Sequence, residues 1–472
     1  MKKSTTNRGY LLLILVMIIA LLVACGSNEA TSDPQPAATT ATESTDTTTN
    51  TESSETPADE PEPEAVKPAL TEPVEISFLN TWEDERFERL FGEKLRNKFP
   101  HVTWKLIPKL EPEMIATGNI PDLVTLPNWE HVHQRVKDGV LLDLTTLMEQ
   151  DDLGLERLEP SNVESLRLVG DGTMYALPWN RAVEKLYINK EVFDKFNVPY
   201  PDPKVPMTWD ETIELAKKLT GTVDGVQYRG IDLQNPIYIL DSNRPADLNE
   251  NNEPMYQKDP AFRKYLEIMQ GFWSIPGIFP EGVDPATIVH YRGVEDFAVQ
   301  KNVAMLVFWT SDLELKEAEE EHGLQWDYRP MPVWPEFRDQ GPISYSNVIG
   351  IGATTKHKEQ AYEILKYIVS DEFQQANAEE GIFPISTTAE IEQTYLNYLT
   401  SELGDKNFAA IFALKPSTPK ITLPLPQYFG AKANHWGRVE TFARLDKDVN
   451  TVLREMDEEA LKAIETMKAQ GQ

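Results

Sequence analysis

The chain has a single cysteine, Cys25, among 472 residues. Disulfides are therefore excluded, as are thiolate metal sites and a cysteine nucleophile in the folded body. Histidine is also scarce, at seven. His131 and His133 stand two apart, which on a helix points them to different faces, and the others are scattered, so a zinc enzyme finds little support. Positive charge is short as well: 45 Lys and Arg face 76 Asp and Glu, a formal net charge of −31. A nucleic-acid partner would need a basic face, and the balance argues against one. No Gly-rich turn leads into a helix with a later acidic partner, so Gly350 and Gly352 are not a nucleotide fingerprint; they permit close backbone approach. Internal repeats are absent.

The apolar run at 10–23 is shorter than the ~20 residues a spanning helix requires. It follows Lys2, Lys3 and Arg8 and ends at small residues, the pattern of a secretory signal over 1–24. The four residues ending at Cys25 resemble a lipobox, which implies an exported protein whose Cys25 is acylated and becomes the mature N-terminus. From 25 to 73 the composition shifts to Thr, Ser, Ala, Glu and Pro with almost no large apolar residue. Such a segment cannot bury enough surface to offset its ordering entropy and is expected to be a disordered tether. Its acidic excess accounts for a good part of the net charge.

The remaining ~400 residues suffice for two domains with sizeable cores. Val74 to Asn80 reads as a strand, followed by Thr81 and Trp82. A helix then carries Phe87, Leu90, Phe91 and Leu95 as one apolar stripe. Val102 to Ile107 and Leu123 to Leu126 are further strands, and their alternation with helices implies a largely parallel sheet. A Gly170-Asp171-Gly172 turn enters the apolar run at 174–177, which Pro178 is expected to stop because it has no amide to donate. Trp179, Asn180 and Arg181 then form a plausible ligand-facing loop. Thr208 and Glu211 have the spacing of a capping box, with Trp209, Ile213, Ala216 and Leu219 at helical intervals. The strand at 303–308 ends at Trp309, and 344–353 reads as return crossover strands. The stretch Asp247 to Asn251 faintly resembles a calcium loop, but Asn252 and Lys258 stand where glycine and glutamate are needed, so a polar surface turn is the reading.

The phrases PDLVTLPNWEHV, YALPW, LYINKEVFDKFNV, TWDETIELAKKLT and HKEQAYEILKYIVSDEFQQANAEEGIFP, in this order, resemble the extracellular solute-binding proteins of ABC importers. The branch is that of maltose- and multiple-sugar-binding proteins. The resemblance implies an α/β, two-lobed periplasmic-binding-protein-like fold (type II), each lobe a mixed, mostly parallel sheet flanked by helices, with a hinge between. Residues 74–180 plus 347–400 would form one lobe and 181–346 plus 401–472 the other. It further implies capture of a small solute, an oligosaccharide foremost, and delivery to permease subunits in the membrane. The protein would be a monomer without cofactor, metal or catalysis, held by lipid on Cys25 at the outer face of the cell membrane or in the periplasm.

A sugar offers flat C–H faces and a ring of hydroxyls, which aromatic planes and amide or guanidinium groups satisfy in a concave site. On that chemistry the candidate ligand residues are Asn80, Trp82, Asn128, Trp129, Trp179, Asn180, Arg181, Gln234, Trp309, Tyr345, Trp436 and Arg438. Trp104, Trp209 and Trp273 fall within helix or strand patterns and are read as packing. Three other readings stay open. A tethered glycoside hydrolase or lyase would need two carboxylates flanking one bond, and no motif places such a pair. A binder of a peptide, polyamine or phosphorylated solute is not excluded, and a scaffold lipoprotein is favoured only by the long tether.

Overall fold

The computed structural model describes residues 71–469 except 152, 235, 280, 288–292, 310–311 and 422–440. The signal segment, nearly all of the tether, Cys25, Trp436 and Arg438 lie outside the described residues. Strands run in chain order as β1 Val74–Leu79, β2 Val102–Ile107, β3 Leu123–Leu126, β4 Leu177–Pro178, β5 Lys185–Asn189, β6 Gly221–Val223, β7 Val226–Tyr228, β8 Met305–Phe308, β9 Trp326–Arg329, β10 Gln340–Ile343, β11 Val348–Ile351 and β12 Lys415–Ser417.

The first lobe is built on the sheet β2-β1-β3-β11-β4. β1 pairs in parallel with β2 and β3, while β11 runs antiparallel to both β3 and β4. All four side chains of β3 are buried, as a strand covered on both faces requires. Behind the sheet, the helical run after β1 presents Phe87, Leu90, Phe91 and Leu95 to Ile76 and Phe78, the stripe read from the sequence. That run is interrupted by a π-helical turn, Glu88–Gly92, between Asp84–Phe87 and Glu93–Lys98. A Cβ on Gly350 would lie 2.5 Å from the Tyr175 carbonyl oxygen, and one on Gly352 2.1 Å from that of Pro121, so both glycines do serve close backbone approach.

β4 ends at Pro178, as the sequence reading expected. Pro178 is itself the last paired residue, opposite Val348, and beyond it the Trp179 amide donates to the Asn347 carbonyl at 3.1 Å. β4 is an edge strand, where a residue without an amide is tolerated on the open side.

The second lobe centres on β8-β5-β9, in which both pairings are antiparallel. This corrects the strand directions expected there. β5 enters the lobe as the middle strand, and both neighbours run against it; parallel pairing lies outside this sheet, in the bridges Arg229↔Val303 and Asp232↔Leu306 on the far side of β8, in Thr208↔Val333 and between β10 and β12. The capping box is present: Thr208 Oγ1 accepts from the Glu211 amide at 3.1 Å, and Glu211 Oε2 accepts from the Thr208 amide at 2.7 Å. It starts the helix Trp209–Lys218, which shares a core with the helices Pro260–Trp273 and Val449–Ala469 through Ile213, Met269 and Leu453. Around Asp247 the polar turn is self-capped, with Asn249 Oδ1 accepting from the Asn251 and Glu253 amides.

The helix Ala389–Leu403 starts within the span expected for the first lobe but packs elsewhere. Its Ile391, Tyr395, Leu399 and Leu403 are buried with Tyr187, Leu306 and Trp326, side chains of the second-lobe sheet.

The chain crosses between the sheets near 180–184, 344–347 and 383–386, and these crossings are bonded to one another. The Arg181 amide donates to the Phe383 carbonyl at 2.9 Å, the Ala182 amide to Tyr345 at 2.7 Å, and the Tyr345 amide back to Ala182 at 2.9 Å. Asn180 Oδ1 accepts from both the amide and the side chain of Asn347, at 2.9 and 3.1 Å. Three segments, the first bonded to each of the other two, make a hinge that holds register while each lobe keeps its own core.

Candidate functional site at the hinge

A cavity of about 260 Å³ opens beside these crossings and is lined by both lobes. Arg86, Arg89 and Leu90 come from the first-lobe helical run, Asn180 to Val183 from the first crossing, and Trp309 from the end of β8. The helix Ala389–Leu403 closes it with Tyr395, Tyr398 and Glu402.

Of the residues singled out by sequence, Asn180, Arg181 and Trp309 line this cavity. Trp309 is 45% exposed and is the only tryptophan among the described residues classed as exposed. Tyr345, half-buried, sets its ring edge-on to the Trp309 indole at 5.9 Å between centroids and 88° between planes. β8 ends at Phe308, so the indole projects past the buried strand, as expected.

Arg181 is at the site but is not available as a ligand. It is 7% exposed; its Nε donates to the Pro384 carbonyl at 2.6 Å, and its terminal nitrogen to Ser386 O at 3.1 Å and Glu392 Oε1 at 2.7 Å. Its guanidinium also lies 4.4 Å from the Phe383 ring centroid. Arg181 therefore braces the first crossing to the third, the sequence reading having seen a guanidinium but not the carbonyls waiting for it.

Trp129 and Trp179 are corrected outright. Both are buried in the first-lobe core, at 0% and 1% exposure. Trp129 opens the 3-10 turn Trp129–His131 that Asn128 caps by accepting from the Glu130 amide, so the cap turns the indole inward. Trp179 continues the inward alternation of Leu177 and packs 4.7 Å from Phe91 and 5.9 Å from Trp82. Trp82 is half-buried, stacked on Phe91, and Asn80 bonds both its amide and its carbonyl. Neither Asn80, Trp82 nor Asn128 lines the cavity. Gln234 is buried in the second lobe with a φ of +50°, its amide donating to Asp232 Oδ1 at 2.9 Å, beside a separate void of about 30 Å³.

Several lining groups escaped sequence reasoning. Lys185 and Asp312 form a buried ion pair at 2.7 Å, and the Tyr187 hydroxyl donates to the same carboxylate at 3.2 Å. Burial first, and the Asp312 charge second, push the Tyr187 and Tyr395 phenols well above their ordinary range, so both stay neutral donors. The pairing joins residues 127 apart, a separation for which a single sequence carries no signal. Arg86 and Arg89 carry a faint one: they sit on the polar side of the Phe87, Leu90 and Phe91 stripe. The lining carboxylates are matched, Asp312 by Lys185, Glu380 by Lys94 at 2.7 Å and Glu402 by Lys316 at 3.0 Å.

A model of the bacterial extracellular solute-binding protein family matches residues 106–375, more than half the chain. A Brucella abortus protein, described no further than as a binding protein, is 22% identical over 335 residues, 66% of this chain and 75% of its own length. A Rhizobium etli sugar transporter in an open conformation superposes with a TM-score of 0.65 at 20% identity, over 82% of this chain and 98% of that one. A Listeria monocytogenes ABC substrate-binding protein in complex with cycloalternan gives 0.62 at 19% identity, over 83% and 99%. At such identities the superpositions speak for the two-lobed fold, and the family match for membership. The chain belongs to the bacterial extracellular solute-binding protein family.

Proposed function

We propose that the protein is the capture component of an ABC importer and takes an oligosaccharide between its lobes. The observation that carries this reading is Trp309, an indole held 45% exposed at a strand end, beside Tyr345 and at the hinge where both lobes meet. An exposed aromatic plane next to amide groups such as Asn180 suits the apolar face and the hydroxyl rim of a sugar. A ligand touching both lobes favours closure through the contacts it gains in that state, and the closed form is what the permease reads. The pairing of Asp312, Glu380 and Glu402 with lysines supports binding over glycoside hydrolysis, since it leaves none of them uncommitted for acid and base work.

The remaining parts of the reading are monomeric action and attachment of an exported chain to the membrane by lipid on Cys25. Replacing Cys25 by serine then moves the chain from the membrane to the soluble fraction. The central test is a thermal-shift and calorimetric panel of oligosaccharides on the purified chain. A one-site ligand at 100 times its dissociation constant adds about 2.7 kcal/mol of stability. Stabilisation by a sugar without release of new reducing ends supports capture. New reducing ends, or stabilisation only by peptides, would sink it.

A further inference from the structure

We propose that the captured carbohydrate is anionic, and that Arg86 and Arg89 grip its acidic group. This rests on the capture reading above and names the class of solute. The chain carries a formal charge of −31, and most of its basic side chains near the hinge are spent on acidic neighbours. Of the seven charged groups lining the cavity, Lys185 and Asp312 neutralise each other, Arg181 is held by Glu392, Glu380 by Lys94 and Glu402 by Lys316. That leaves Arg86 and Arg89. Both are exposed, both line the cavity, and among the described residues neither guanidinium has a carboxylate within ion-pairing distance or a hydrogen-bond acceptor.

Local sequence would ordinarily have quenched them, since Glu83, Asp84, Glu85, Glu88 and Glu93 surround them. The π-helical turn Glu88–Gly92 falls at this place, and such insertions change which face a residue presents. Glu88 is engaged by Arg96, with its carboxylate lying over Gly92, where a Cβ would collide with it at 2.3 Å. Glu88, the chain neighbour of Arg89, is thus drawn to Arg96, while the two arginines, three residues apart, are left to the cavity. Guanidinium forks match carboxylate and sulfate oxygens with paired hydrogen bonds, which neutral sugar hydroxyls do not reciprocate with charge. Trp309 and Asn180 line the same cavity and suit the sugar ring, so the combined lining fits a uronic acid or sulfated sugar better than a neutral one.

The test is calorimetric titration of the purified full chain with uronate trisaccharides of the galacturonate, glucuronate and mannuronate series. Each is paired with its neutral methyl ester, and a sulfated trisaccharide set tells carboxylate from sulfate. The expected result is preference for acid over ester by about 10- to 100-fold, the worth of a charged hydrogen bond or two. That preference weakens as salt is raised and is abolished in R86Q/R89Q, whose melting temperature stays that of the wild type because both side chains are exposed. Esters bound as tightly as acids, or a preference that survives in R86Q/R89Q, would overturn the inference and leave sugar capture standing. Binding of no carbohydrate of either kind would overturn both.

Discussion

Two tryptophans that look alike in sequence are expected to respond to alanine in opposite ways. Trp179 is 1% exposed, wedged against Phe91 and Trp82, and its carbonyl accepts from Gln374 Nε2 at 3.0 Å. A buried aromatic of this size removes about 150–250 Å² from water, which at ~25 cal/mol per Å² is ~4–6 kcal/mol. Measured core truncations of this kind cost about 3–5 kcal/mol, because the surroundings relax partly into the void. At about 2 °C per kcal/mol for a body of this size, Trp179→Ala melts on the order of 5–10 °C lower. Trp309, 45% exposed and outside any core cluster, gives up little on truncation, within about 1 kcal/mol. Its loss falls on the ligand instead: an aromatic contact worth ~2 kcal/mol weakens binding by about 30-fold. Circular-dichroism melts and calorimetric titration of the folded variants read the two effects separately. If Trp309→Ala melts as low as Trp179→Ala while ligand affinity is unchanged, the cavity has been placed on the wrong side of the hinge.

Arg181→Met removes the brace between crossings. Breaking a buried pair costs about 3–5 kcal/mol, reduced here to ~2–3 because Glu392 stays 26% exposed, and denaturant melts should show it with ligand affinity per folded molecule changed less than about tenfold. Glu184, on the first crossing and 3% exposed, has its carboxyl pushed well above the usual range by burial and by the Asp241 charge. Asp241 is itself raised to about 6 by burial, with Arg244 opposing at 3.3 Å; the buried Asp247 is raised likewise. A folded-state pKa above the unfolded one means that the folded chain holds the extra proton, so stability is fullest below the ordinary value of 4.5 and falls as pH rises. Glu184→Gln abolishes its share of that fall, so the variant gains on the wild type as pH rises from 4.5 through the raised folded-state value. A stability gap that stays constant over this window refutes the placement of the proton.

The fold was legible because it is written in periodicity and punctuation. The stripe Phe87, Leu90, Phe91 and Leu95, the Thr208–Glu211 box and the two close-approach glycines all appear where local chemistry put them. One clear local signal went unread: Asp224 and Gly225, both at positive φ, turn the hairpin between β6 and β7, as an Asp-Gly pair between apolar residues advertises. The direction of an indole is a different matter. Trp129, Trp179 and Trp309 all follow strands or strand-like runs, but a cap at Asn128, an inward alternation from Leu177 and a strand ending at Phe308 send the first two inside and the third out. Those outcomes depend on where the next turn begins, and boundaries are what local propensity resolves least.

Charge teaches the same lesson on a larger scale. A net −31 describes the acidic tether and surface, and suggests a protein indifferent to anions. At the hinge the sum is irrelevant, because pairing is decided residue by residue: Lys185 is consumed by Asp312 and Arg181 by Glu392, across 127 and 211 residues of chain. Arg86 and Arg89 remain unspent although five carboxylates lie within seven positions of one or the other along the chain. Of those five, Glu88 is drawn away by Arg96, a pairing that alters no composition and no hydrophobic period. A binding site of one sign can thus sit in a protein of the other, provided that local pairing leaves some of its cations unspent.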